Sequence, residues 1–273
     1  MEVMSPKPGN VRPNSEFADS TVNDFLKSAE AIAPELALAE TRPLGESILK
    51  AVEATRTVVS HNTNLGIILL IAPLAAVPPE RSLFDGIGSV LSATTLHDSQ
   101  LVYQAIRIAQ PGGLGKVHDQ DLQNEPTLTL QECMRLAADH DLIAAQYANG
   151  FRQVLNEGLE WLREAEGFID SQPSQIAWLA TRLLAEYGDS LIARKCGPEM
   201  SNEVRQKART VLDSGWPNRP VTSQEFDDFD AFLRADGNQR NPGTTADMIA
   251  AILFAALRDG WMTPHERWLV PPK

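Results

Sequence analysis

Along most of this chain apolar residues recur at the three- and four-residue spacing of an amphipathic helix, with polar residues between them. Over 21–39 that spacing sets Phe25, Ala29, Ile32, Ala33 and Leu36 on one face, behind the capping-box pair Thr21 and Asp24. Pro43 opens a second helix that turns Leu44, Ile48, Ala51, Val52, Thr55 and Val59 inward. Residues 64–77 are apolar on nearly every side, which predicts a buried central helix. Further helices are expected near 82–95, 98–110, 127–166, 173–194, 198–214, 222–235 and 244–259. Thr127, Ser174, Ser201 and Thr222 stand where caps are needed, and Gly215, Gly237 and Gly260 where helices should stop. No stretch alternates apolar and polar residues for long, and no two-residue hairpin turn joins two strand-like runs. The run 67–71 would pass for a buried strand in isolation, but its extension to 77 and its lack of a partner select helix. With no internal repeat and no separating linker, the expectation is all-α: residues 1–273 as a single compact multi-helix domain with a buried central helix.

Composition narrows the functional classes. A net charge of −12 without a cluster of Lys and Arg argues against nucleic acid as a partner. An acidic protein can still take ATP, because Mg²⁺ offsets the phosphate charge. Two cysteines, Cys133 and Cys196, give no disulfide framework and suit a reducing compartment. The longest apolar run, 65–77, is too short to cross a bilayer, and the first residues lack a charged-then-apolar signal pattern. These features together predict a cytoplasmic protein with no membrane partner; oligomerisation is left open.

The candidate chemistry lies in five turns rich in Gly, Asn, Asp and Thr: SPKPGNV at 5–11, HNTNLG at 61–66, PGGLG at 111–115, GDSLIARKCG at 188–197 and NPGTTAD at 241–247. Glycine lets backbone N–H groups come close to a ligand, and a helix that follows presents the positive end of its dipole. Each turn also has a plain structural explanation. Lys7, between two prolines, is either a phosphate contact or part of a surface arm. Asn62 and Asn64 either cap the apolar helix or reach ribose hydroxyls, phosphate or a metal-bound water. Asp98 either starts a helix as its cap or supports a metal. His118, Asp119 and Asp121, after the third turn, make only a weak metal pattern. In the fourth turn Asp189 would lie on a different helix face from Arg194, so the two should not simply pair. The cations Arg194 and Lys195 could serve the helix dipole alone. Gly243, Thr244 and Thr245 resemble an anion-binding helix start, and Asp247 in the same turn could serve the dipole.

Taken in order, the motifs resemble the triphosphoribosyl-dephospho-CoA synthase family, the ATP:dephospho-CoA triphosphoribosyl transferases. Ser5-Pro-Lys-Pro-Gly9 matches the family's opening SPKPG, Asn62-Thr-Asn-Leu-Gly66 its NT-x-x-G, Gly188-Asp189 its GD segment, and Pro242 to Asp247 its PG-small-small-AD motif. The likeness runs from Ser5 to about Gly260. It implies an all-helical enzyme that joins the triphosphoribosyl group of ATP to the ribose 2′-hydroxyl of 3′-dephospho-CoA and releases adenine. The broken bond is N-glycosidic, so positive charge develops at the sugar carbon and carboxylates would stabilise it. On this reading Lys7, Asn62, Asn64, Arg194, Lys195, Gly243, Thr244 and Thr245 bind nucleotide or phosphate. Asp189 and Asp247 are the catalytic candidates, and Asp98, Asp189 and Asp247 would hold Mg²⁺. Replacing Asp189 by Asn is then expected to abolish adenine release without unfolding the chain. All five turns are expected around a single ATP.

Two departures stand out. Family members serving citrate lyase look like NTHKG where this chain has NTNLG, and like GDTNVASRGG where it has GDSLIARKCG. The chain looks more like a divergent branch found beside methanopterin-dependent one-carbon metabolism. ATP-dependent ribosyl transfer to a related acceptor is therefore an alternative, as is a magnesium-dependent N-glycosidic hydrolase or a nucleotide-binding protein without turnover.

Overall fold

A computed structural model describes residues 1–112, 121–216 and 224–264 of the chain. Gly113 to Gly115, His118, Asp119, the expected cap Thr222 and the tail beyond Pro264 lie outside these residues. The regular elements among the described residues are helices, with no strand and only two isolated β-bridges, Arg12 with Ser15 and Phe17 with Ser20. They group into two compact units, Asn23–Leu155 and the combination of Met1–Val22 with Asn156–Lys273.

In the first unit the helices are α1 (Val22–Leu36), α2 (Leu44–Val58), α3 (Leu65–Ala75), α4 (Leu83–Ser92), α5 (Leu96–Ala109), α6 (Leu130–Ala137) and α7 (Leu142–Asn149). All six positions expected inward on α2 are buried. On α1 only Ile32 and Leu36 are; Ala29 and Ala33 face solvent, and Ser28 takes the inner position, its hydroxyl 2.7 Å from that of Thr63. An alanine is too small to hold the face against a polar pair that bonds across it.

Helix α3 is apolar all round, as expected, and packs against α2, α4 and α7. Pro73 inside it has no N–H, so the carbonyl of Leu69 four residues earlier loses its helical partner. The buried hydroxyl of Tyr147 on α7 donates to that carbonyl at 2.6 Å. A proline that should weaken the helix is thereby turned into an attachment point. Helix α2 lies closest to α5, because Gly45 has no side chain: a Cβ there would sit 2.6 Å from the Cα of Asp98.

The second unit contains α8 (Leu159–Glu166), α9 (Gln172–Tyr187), α10 (Ser190–Cys196), α11 (Pro198–Asp213), α12 (Gln224–Asn238) and α13 (Gly243–Arg258). Helix α9 is its centre, buried from Gln175 to Ala185 except for Arg182, and it packs on α8, α11 and α13. Trp178, Trp216, Phe226, Phe229 and Leu233 fill the core around it, with Trp216 stacked on Phe226 at 5.1 Å.

Several boundaries differ from the periodicity. The expected 127–166 helix breaks twice, at Asp141, whose carboxylate caps α7 through Ile143 and Ala144, and at Gly150–Phe151, both with positive φ. A π-helical turn, Gln153–Gly158, then leads into α8. Thr129, not Thr127, caps α6, in a capping box with Glu132. Ser171, not Ser174, stands at the N-cap position of α9, and Ser201 lies within α11. The 173–194 helix ends at Tyr187, with Gly188 at φ 68°. Gly215 and Gly260 follow the ends of α11 and α13 with positive φ, as expected of helix stops.

Candidate functional site

Within the second unit, three of the five turns meet. Asp189 is the N-cap of α10, and its Oδ1 accepts from the amides of Leu191 (2.9 Å) and Ile192 (3.1 Å). Its Oδ2 accepts both the amide and the hydroxyl of Thr245, each at 2.8 Å, in the first turn of α13. One carboxylate thus holds the starts of two helices side by side. Asp189 is 1% exposed, and its four acceptor positions are all used. Burial pushes its pKa up from the ordinary carboxylate value, and the bonds from Thr245, Ile192 and Leu191 pull it back. The Ser201 hydroxyl fixes the backbone of Asp189, accepting from its N–H and donating to its carbonyl, each at 3.1 Å.

The α13 turn also touches the first motif. Asn10 Nδ2 donates to the carbonyl of Pro242 at 3.3 Å. Gly9, at φ 72°, lies so close to α12 and this turn that a Cβ would stand 2.6 Å from Leu233 Cβ and 3.0 Å from Pro242. At the start of α13 the amide of Gly243 bonds to Asn241, that of Thr245 to Asp189, and that of Ala246 to Pro242. Of these first four amides, Thr244's alone makes no hydrogen bond among the described residues. Thr244 and Thr245 are buried, and Gly243 and Asp247 are half-buried. The side-chain oxygen of Asn241, just before the turn, is buried without a hydrogen-bond partner among the described residues.

Lys7 is fully buried. Its Nζ donates to the carbonyl of Glu2 at 2.6 Å and pairs with the Glu2 carboxylate at 2.9 Å. Burial lowers its pKa, Glu2 opposes that, and the nearby charges of Arg12 and Arg234 lower it further. Those arginines were not singled out from the sequence. Both pair with Asp230 on α12, Arg12 at 2.7 Å and Arg234 at 3.0 Å. Arg240 is buried too, paired with Asp236 at 3.0 Å and set over the ring of Phe232. The one available signal was Arg234 four residues after Asp230, which looks like any surface helix pair. Arg194 and Lys195 are exposed on α10.

The residues of the second turn belong to the first unit and are tied into it. Asn62 is exposed, and its Oδ1 accepts from the amide of Leu65, capping α3. Asn64 is buried and exchanges bonds with the hydroxyl of Thr55, at 3.0 and 3.2 Å. Asp98 is buried as well. Its Oδ1 accepts from Gly45 N at 2.8 Å, and its Oδ2 from the amide (2.8 Å) and hydroxyl (2.7 Å) of Thr95. Among the described residues no group of three His, Cys, Asp or Glu side chains is placed to hold a metal. The oxygens of Asp98 and Asp189 point at N–H and O–H donors, an arrangement that does not suit a cation. No helix of the described residues is long and apolar enough to cross a membrane.

The fold and this site define an all-helical protein in which three glycine-bearing turns meet at a pair of helix starts, beside buried ion pairs of the N-terminal arm. Residues 1–265 match the family model of the ATP:dephospho-CoA triphosphoribosyl transferases, and the chain belongs to that family. A crystal structure from Archaeoglobus fulgidus, provisionally assigned as a triphosphoribosyl-dephospho-CoA synthase, matches with a TM-score of 0.70 and 27% identity, covering 87% of this chain and all of that one. No curated protein matches the chain. Family and neighbour together make the chain a transferase enzyme, with triphosphoribosyl transfer onto dephospho-CoA as the family's reaction and ATP as the substrate its name implies.

Proposed function

We propose that this chain transfers the triphosphoribosyl group of ATP to the 2′-hydroxyl of dephospho-CoA or a related acceptor and releases adenine. In that step the bond between adenine and the ribose carbon breaks with its electron pair going to adenine, a carbon–oxygen bond to the acceptor forms, and the hydroxyl proton passes by way of a base to the departing adenine. The observation that carries the reading is the contact of the first, fourth and fifth turns in one compact unit, through Asn10 with Pro242 and Asp189 with Thr245. The triphosphate stays on the product, so its grip must persist through the reaction. Lys7, once the triphosphate displaces its Glu2 partner, the open amide of Thr244 at the dipole end of α13, and the exposed Arg194 and Lys195 supply charge of the right sign. Asp189 acts by holding α10 and α13 in register. Asp247, half-buried one turn into α13, is the carboxylate we assign to the sugar carbon or the acceptor proton. Asn62, Asn64 and Asp98 are assigned to the architecture of their own unit. Magnesium would arrive as the companion of the triphosphate, since the described residues offer no carboxylate cage for it.

A related acceptor is favoured by one further observation. Leu65, where family members that serve citrate lyase look to carry lysine, is buried at the start of α3 and has become part of the core. The test is to incubate the chain with ATP and Mg²⁺, with and without dephospho-CoA, and to follow free adenine and the ribosyl product. Adenine that depends on dephospho-CoA supports the transferase. Adenine with free ribose triphosphate and no acceptor would mean a hydrolase, and nucleotide binding without adenine would end the proposal.

A further inference from the structure

Asp230 and Arg234 stand one turn apart on α12 and grip the N-terminal arm from both sides of its Gly9–Asn10 turn. Asp230 Oδ1 accepts from the amide of Gly9 at 2.7 Å, and its Oδ2 accepts from Arg12 at 2.7 Å. Arg234 bonds through Nε to both oxygens of Asp230 at 3.0 Å, and through its terminal nitrogens to the carbonyls of Asn10 (2.6 Å) and Ser15 (3.4 Å). The arm so held carries Lys7 two residues before Gly9 and, through Asn10, contacts Pro242 at the start of α13. We propose that Arg234, seated on Asp230, is a positioning residue for triphosphate binding. It sets the distance between the Lys7 ammonium and the α13 turn, and it touches no substrate itself.

The geometry suits positioning better than direct contact. Arg234 spends its guanidinium donors on a carboxylate and two carbonyls of the protein, and its side chain is 17% exposed. A planar fork spanning an acid and a carbonyl fixes direction as well as distance, which an ammonium does less well. Its cost to Lys7 is also visible: Arg12 and Arg234 both disfavour the Lys7 cation, so they are not there to stabilise it. What they hold is the backbone that carries it.

The inference rests on Lys7 and the α13 turn gripping phosphate, and the experiment separates the two claims. Tripolyphosphate is titrated calorimetrically into the full chain and into Arg234→Gln, Arg234→Lys and Lys7→Met, with amide exchange of Gly9 measured alongside. Arg234→Gln is expected to weaken tripolyphosphate binding at least tenfold and to speed exchange at Gly9, and Arg234→Lys should recover only part of that loss, because an ammonium cannot span the carboxylate and both carbonyls. A Lys7→Met variant weakened tenfold beside an Arg234→Gln variant within twofold of the parent would overturn the positioning role and leave the phosphate grip standing. Weak binding by Arg234→Gln with Gly9 exchange unchanged would also overturn it, because the arm would not have moved. If Lys7→Met binds as the parent does, or the parent does not bind tripolyphosphate, the grip itself is refuted.

Discussion

The two units use the same device with different surroundings. In each, a buried aspartate holds the N-terminal ends of two helices, and a glycine lets the pair approach: Asp98 with Gly45 for α5 and α2, Asp189 with Gly243 for α10 and α13. The Asp98 clamp is locally closed, two of its three bonds coming from Thr95 in a capping box. The Asp189 clamp takes half of its bonds from Thr245, which lies 56 residues away, and the α13 turn it holds also accepts a bond from Asn10 of the arm that carries Lys7. A capped pair of helix starts is therefore not itself a sign of function. What sets the Asp189 clamp apart is that it joins turns distant in the sequence, one of which also touches the N-terminal arm.

The largest effects should come from the clamps themselves. Asp98→Asn and Asp189→Asn each place an amide N–H where the fold presents donors, so each should lose on the order of 3 kcal/mol of unfolding free energy in urea. This differs from the expectation drawn from sequence, in which Asp189→Asn left the fold intact. Only Asp189→Asn should also lose adenine release per folded molecule; equal activity loss in both would erase the distinction between the units.

Glycine substitutions sharpen the comparison. An alanine Cβ at position 45 would meet the backbone of Asp98 at 2.6 Å, while one at 243 would meet only the end of the Leu191 side chain at the same distance. Gly45→Ala should therefore cost about 2–3 kcal/mol and Gly243→Ala less than about 1 kcal/mol, read from thermal or urea midpoints. The reverse order would show that the α10–α13 contact is the tighter one.

Lys7→Met should raise the KM for ATP at least tenfold, about 1.4 kcal/mol. It also has a pH signature. Because burial lowers the Lys7 pKa in the fold, the unfolded chain holds this proton at higher pH than the folded one does. Stability from this group should then rise with pH between the lowered value and 10.5, and be insensitive below it. The stability of the parent relative to Lys7→Met should climb over that window; a flat difference would place Lys7 in water. The smallest effect is expected at Arg194 and Lys195, where alanine should leave stability within about 0.5 kcal/mol, exposed as both are. A few-fold loss of tripolyphosphate affinity there would add α10 to the phosphate grip, and no loss would remove it.

By itself the sequence determined that the chain is helical, where most helices begin and end, and which inward face α2 presents, because the 3.6-residue period and the Gly and Pro punctuation are local properties of a backbone. It also carried the family, since the motifs survive as short strings. It did not show that 127–166 breaks at Asp141 and Gly150, for apolar spacing continues through a capping aspartate as readily as through a helix. Nor did it show what Asp189, Asn64 and Asp98 bond to, or that Arg234 and Asp230 grip the N-terminal arm. Those partners lie far away in the sequence or across a turn, and only the packed tertiary structure decides which donor a buried carboxylate meets when water is no longer there to supply one.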